Sequence, residues 1–328
     1  IRGENMKYID LHAHLDGSIT LDIAKKLAKM QNIAIPDDQK LLKLIRAPEN
    51  LENLNDFLKC FEFPLSLLQT EKSIAEAVRL VLENMKNDSV IYTEIMFAPQ
   101  LHTKNGLSQE KVISAALEGL KNSDLHANLL LCIMRGEGNE KENDKTLELA
   151  QKHITNDGGI VGLNLAGAEA LYPTENYHTL FEKAKKCGIP FSIHAGEADG
   201  AESIKSAIEM GASRIGHGVR AYENKNVVQM IKNRGITLEM CPTSNRLTKA
   251  VFDMKKYPFM TYLNSNVKVT INTDDLAIEG TTITKEFQYM EKTFGLTRDK
   301  QIEILKTAAD AAFTTEKVKA WLKKEIES

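Results

Sequence analysis

The sequence predicts an α/β protein. The expected fold is a (β/α)8 TIM barrel with extra helices inserted after strand one and at the C-terminus, all 328 residues forming one domain. Three observations carry this. Eight apolar segments are each followed by a helical pattern, most at spacings of roughly 25 to 40 residues. The segments read as continuous apolar runs, as parallel strands buried on both faces should. Polar residues gather just past their carboxyl ends, where parallel α/β folds place chemistry. A doubly wound open sheet is the alternative. It lacks a GxGxxG after the first strand, and too many strand ends are polar for one switch point.

In order, Tyr8 to His14 is strand one, ending in two histidines. Residues from about Leu21 to Gln69 hold several short helical patterns, an insertion of the kind that forms lids. A helix from about Thr70 to Asn87 follows. Strand two is Ser89 to Pro99, with a helix from Ser108 to Lys121. Strand three is His126 to Arg135, then a charged helix to about Thr155. Strand four is Ile160 to Gly167, with a helix from about Glu175 to Cys187. Strand five is Phe191 to His194, followed by a helical pattern from Ala201 to Ile208. Strand six is Arg214 to Gly218, strand seven Ile236 to Cys241 and strand eight Val267 to Asp275. Thr284 to Ser328 is helical. Ile1 to Asn5, ahead of Met6, are expected to be a cloning remnant outside the fold.

Composition narrows the function classes. A net charge of −3 argues against a nucleic-acid partner, which needs a basic face. No apolar run reaches the roughly 18 residues of a membrane span, and no signal-peptide pattern is visible. Cys60, Cys132, Cys187 and Cys241 are scattered, which fits free thiols in a cytoplasmic protein.

The strand ends supply a constellation. His12 and His14 share one face of strand one, because residues i and i+2 of a strand point the same way. His194 ends strand five and Asp274 ends strand eight. Each histidine alone could be ordinary packing; three imidazoles and a carboxylate together suit Zn²⁺, one ion per chain, with water completing the site. Glu197, His217 and Asp275 have no ligand role in this set and read as catalytic. Asp275 is also open to a role orienting a ligand histidine, and Glu197 to that of a helix N-terminal charge. Phe57, Leu58 and Phe61 read as an apolar lid, with plain helix packing the alternative.

Six ordered motifs resemble the adenosine deaminase family: His12-Ala13-His14-Leu15-Asp16-Gly17-Ser18, Leu165-Ala166-Gly167, His194-Ala195-Gly196-Glu197, Ile215-Gly216-His217-Gly218, Cys241-Pro242-Thr243-Ser244-Asn245 and Asn272-Thr273-Asp274-Asp275. The resemblance runs from about Met6 to the final helices. It implies zinc-dependent hydrolytic deamination of adenosine and 2′-deoxyadenosine, with water activated at the metal attacking C6 of the purine. It implies that Glu197 protonates ring N1, that His217 orients the nucleophile, and that Asp275 accepts from the nucleophile and contacts N7. It further implies that the Gly167 N–H reaches N3, that Asp16 binds a ribose hydroxyl, and that His14 faces the substrate as well as the metal. The implied partner is a small-molecule purine nucleoside, with neither nucleic acid nor membrane, and the chain a monomer or weak homodimer. Alternatives are a deaminase of adenine or of an N6-methyl or 5′-modified adenine nucleoside, or a non-catalytic nucleoside-binding protein. The sequence departs from the family pattern at Asn164, where aspartate is usual, at Ala168, where an acid is usual, and at Leu276, where proline is common. Those departures bear on loop shape and substrate fit after strands four and eight.

Overall fold

The computed structural model describes residues 6–328; the expectation for Ile1 to Asn5 lies outside the described residues. Eight strands form the sheet: β1 Tyr8–His14, β2 Val90–Phe97, β3 His126–Met134, β4 Ile160–Ala166, β5 Phe191–Ala195, β6 Arg214–His217, β7 Thr237–Met240 and β8 Lys268–Ile271. They lie in sequence order and every neighbouring pair is parallel, which is the expected barrel. Closure from β8 back to β1 is made by the chain just beyond β8. There Asp274 N donates to His12 O and His14 N to Asp274 O, both at 2.8 Å.

Strand eight is shorter than the sequence suggests. It stops at Ile271, and Asp274 adopts a φ of +61°. That left-handed backbone turns the chain, so Asp274 and Asp275 do not alternate across a strand as an extended run to Asp275 would require. Between β1 and β2, the inserted segment forms the helices Leu21–Met30, Asp38–Ile45, Leu54–Leu58 and Glu62–Ser66. The next helix, Glu71–Asn87, begins at a reciprocal cap between Thr70 and Ser73, which satisfies backbone donors that its first turn leaves free. Gly211, at φ +103°, ends the helix Ala201–Met210 in the conformation a side chain disfavours.

The core has two compartments. Apolar faces of the surrounding helices pack on the outer side of the strands. Inside the barrel, the amino-terminal half is filled partly by charge. The Arg214 guanidinium, fully buried, lies 2.6 Å from Glu94 and 2.5 Å from Glu239, and its carbon sits 3.7 Å from the centre of the Phe313 ring. Buried charges persist only when paired. Phe313 N also donates to Glu94 Oε1 at 2.5 Å, so the chain after the helix Arg298–Ala311 plugs this end. The carboxyl-terminal half stays open beneath the inserted helices and holds the polar strand ends.

Candidate active site

A cavity of about 260 Å³ opens at the carboxyl end of the barrel. Its lining includes His14, Asp16, Phe57, Leu58, Phe61, Gly167, His194, Glu197, His217, Asp274 and Asp275, while His12 lies fully buried in its floor. Every site residue expected from the sequence is therefore gathered here, from segments hundreds of residues apart.

The floor is a tight knot of donor atoms. His194 Nε2 stands 3.0 Å from His12 Nε2 and 3.2 Å from His14 Nε2. Asp274 Oδ1 is 3.3 Å from His12 Nε2 and 3.2 Å from His14 Nε2. His12 Nδ1 donates to Glu239 Oε2 at 2.7 Å, and His194 Nδ1 donates to Asn164 Oδ1 at 2.8 Å. With both rings neutral, both hydrogens are committed elsewhere and two imidazole lone pairs meet at 3.0 Å. That contact is repulsive unless a cation lies between them. A tetrahedral ion with bonds of about 2.0–2.1 Å spaces its ligands by about 3.3–3.4 Å, close to the separations found. Burial and the neighbouring imidazoles push His194 well below the usual histidine range, so it stays neutral, as a ligand must. The cluster is able to bind a metal.

His217 stands against the same donor atoms. It comes within 4.8 Å of the His12, His194 and Asp274 donor atoms, and its Nε2 is 3.8 Å from Asp274 Oδ2. The Tyr257 hydroxyl donates to Asn245 Oδ1 at 2.9 Å, which turns the amide nitrogen toward His217 Nδ1 at 3.1 Å. His217 therefore carries its hydrogen on Nε2, between Asp274 and Glu197 Oε2, the latter 3.4 Å away. Burial lowers its pKa to about 3, so the ring is neutral. Like Asp274, His217 has a positive φ, +60°, and such backbone strain collects at functional sites.

Glu197 is 5% exposed. Burial, then the charges of Asp274 and Glu169, push its pKa up to about 8. A carboxyl that keeps its proton at neutral pH can serve as a general acid. Asp275 lies against Gly17. A Cβ on that glycine would fall 1.7 Å from Asp275 Oδ1, so only glycine admits the carboxylate here. Burial and the Asp274 charge raise the Asp275 pKa well above the ordinary value, and its Oδ1 has no protein partner. Gly167 holds φ +107° where the chain leaves β4. Phe57 and Phe61 pack edge to face, centroids 5.8 Å apart, over the cavity. Phe57 also belongs to a small apolar cluster with Ala47, Leu51, Leu54 and Ile278, so it both packs and lines.

Two functional carboxylates escape sequence reading. Glu169, 1% exposed, accepts from the backbone N–H groups of Gly196, Glu197, Ala198 and Asp199 at 2.6, 3.0, 2.7 and 3.2 Å, and from Ser203 Oγ at 2.6 Å. It fixes the loop that presents Glu197, and it stands directly after Ala168, one of the departures from the family pattern. Glu239 supports His12. Its signal was a lone acid in the apolar run of strand seven, since a charge buried on both faces demands a partner. Asn164 orients His194 without bringing the charge an aspartate would, and its Nδ2 has no partner.

A family profile described as adenosine deaminase matches residues 8–328. The chain belongs to the adenosine deaminase family. An adenosine deaminase of Haemophilus ducreyi is 39% identical over 327 residues, covering 97% of this chain and 95% of its own. One from Enterococcus faecalis is 35% identical over 331 residues, covering 99% and 97%. Among solved structures, an adenine deaminase from Arthrobacter aurescens superposes with a TM-score of 0.88 at 25% identity, covering 98% of both chains. An N6-mAMP deaminase from Arabidopsis superposes at 0.86 and 25% identity, also covering 98% of both. Members of the adenosine deaminase family are metal-dependent enzymes, in keeping with the donor cluster in this cavity. Among the described residues, no helix is long and apolar enough to cross a membrane.

Proposed function

We propose that this enzyme hydrolytically deaminates adenosine and 2′-deoxyadenosine, giving inosine or deoxyinosine and ammonia, with one zinc ion held by His12, His14, His194 and Asp274. The observation that carries the reading is the pairing of a proton-holding Glu197 with a neutral His217, both facing the cavity directly above the four-donor knot. Zinc at that knot supplies Lewis acidity, which makes water nucleophilic near neutral pH.

The chain's own residues do the rest. Glu197 gives its proton to a ring nitrogen, drawing electrons from the carbon under attack. His217, with its hydrogen on Nε2, orients the attacking oxygen. Asp275, unpartnered at Oδ1, accepts from that oxygen and faces the purine edge. Gly167 lets the base approach the backbone at the end of β4, Asp16 receives a ribose hydroxyl, and Phe57, Leu58 and Phe61 exclude water above. The balance is one water added and one ammonia released, with the Glu197 proton returned from the water.

The lining favours a neutral nucleoside over a nucleotide. Among its described residues the one arginine or lysine is Arg135, whose Nη1 and Nη2 are taken by Tyr172 O, Thr174 Oγ1 and His194 O. The lining carboxylate of Asp16 adds negative charge, which repels phosphate. Cys60, Cys132, Cys187 and Cys241 are free thiols, which supports a cytoplasmic setting. Ammonia release from adenosine, 2′-deoxyadenosine, adenine, AMP and N6-methyladenosine tests the substrate assignment. Adenosine and deoxyadenosine should lead by at least about 100-fold in kcat/KM; preference for AMP or adenine would overturn it.

A further inference from the structure

The two oxygens of Glu197 are not equivalent. Oε2 stands 3.4 Å from His217 Nε2. Oε1 points the other way, 3.0 Å from the Thr248 hydroxyl. Thr248 is 5% exposed and follows the short helix Pro242–Leu247, which begins just after β7. That helix is held from several sides. Thr243 N donates to Glu286 Oε2 at 3.0 Å, Tyr257 OH reaches Asn245, and Asn245 reaches His217. The Thr248 hydroxyl is thus carried on the same rigid segment that fixes the His217 tautomer.

A threonine hydroxyl has a single hydrogen, and here two acceptors are within reach. Ser244 O lies 3.0 Å from Thr248 Oγ1, but it already accepts from Thr248 N at 2.8 Å. Glu197 Oε1 has no other hydrogen-bond donor among the described residues. The hydrogen is therefore best used on Oε1. A carboxyl oxygen that accepts from a hydroxyl is the carbonyl oxygen of the neutral acid, so the acidic hydrogen belongs on the other oxygen.

We infer that Thr248 is a positioning residue for the reaction: by donating to Glu197 Oε1 it keeps the transferable proton on Oε2, the oxygen beside His217. The inference rests on the reading of Glu197 as the acid proposed above. Transfer from Oε2 to the ring nitrogen breaks one O–H bond and forms one N–H bond. The carboxylate left behind keeps the same Thr248 hydrogen bond, so the side chain has no need to rotate between turnovers. Nothing in the composition of the segment after Cys241 singles out Thr248 for this; the relation appears only when the segments that follow β5 and β7, on either side of β6, meet at the mouth of the barrel.

Steady-state kinetics of Thr248→Val and Thr248→Ser with adenosine test it, alongside metal content and unfolding midpoint. Valine keeps the shape and removes the donor. It is expected to lower kcat about 10- to 100-fold with KM within about twofold, at unchanged metal content. Serine keeps the donor and is expected to restore kcat to within about threefold of wild type. Thr248→Ala, which adds no atoms, carries the same expectation as valine should valine destabilise the fold. Wild-type kcat in the valine and alanine variants would overturn the inference. So would a serine variant as impaired as valine, or a loss expressed wholly in KM. Glu197→Gln is measured in parallel. If it turns over normally, the acid reading itself falls; if it is inactive while Thr248→Val is unimpaired, only the role of Thr248 falls.

Discussion

His12 Nδ1 donates to Glu239 Oε2 at 2.7 Å, with both side chains fully buried inside the barrel. Glu239 also accepts from Ser192 Oγ at 2.9 Å and is ion-paired with Arg214. Burial works against its charge, yet Arg214 and His12 hold its pKa below the ordinary value. The charged plug of the barrel thus ends on a ligand of the proposed metal site. Carboxylates behind ligand histidines fix the tautomer and raise ligand basicity. Glu239→Gln is expected to weaken zinc binding about 10- to 100-fold, read by chelator competition with the apo enzyme. Unchanged affinity would show that the contact only packs. Glu239→Ala, which leaves Arg214 short of one partner, should in addition lower stability by about 3–5 kcal/mol.

Glu169 gives a second expectation. Its carboxylate serves four successive backbone donors and one hydroxyl. Glu169→Ala leaves those donors unmet in a buried loop, at about 1–3 kcal/mol for each that water cannot reach. A large drop in the denaturation midpoint together with a kcat loss of at least about 100-fold is expected. A variant that keeps its kcat would mean the loop holds Glu197 without help.

Gly17 sets the room for Asp275. Gly17→Ala is expected to push the Asp275 carboxylate aside and cut kcat/KM by at least about 100-fold, with metal content unchanged. Near-normal kcat/KM would show that Asp275 works from a different position.

The pH profile follows from Glu197. Its folded pKa is raised to about 8, and the protonated form is the active one. Activity attributable to this group should hold through neutral pH and fall about tenfold per unit once pH passes about 8. The same raised value means that the folded chain binds this proton in preference to the unfolded one, so the group costs stability as pH climbs from its unfolded value towards 8. A kcat/KM that already declines from pH 5 would contradict the assignment.

Much of this was legible in the chain. His12 and His14 announce a site because the i, i+2 spacing on a strand leaves few other uses for two polar rings on one buried face. The barrel was legible because eight apolar strands alternate with helices. Strand eight is shorter than its sequence suggests, since Val267 to Asp275 is continuous in β-compatible residues and the turn at Asp274 depends on closure against β1. Glu169 is not legible because its donors lie 27 to 34 residues away, beyond β5. Arg214, Glu94 and Glu239 stand on three different strands, and nothing in sequence shows that their side chains meet inside the barrel.

The most direct test of the central claim is zinc content measured together with ammonia release from adenosine, for the wild-type enzyme and for Glu197→Gln. The expected result is about one zinc per chain in both proteins, with turnover in the wild type and a loss of at least about 1,000-fold in the variant. Turnover that survives in Glu197→Gln, or zinc that leaves with the carboxyl group, would contradict the division between a metal knot below and an acid above.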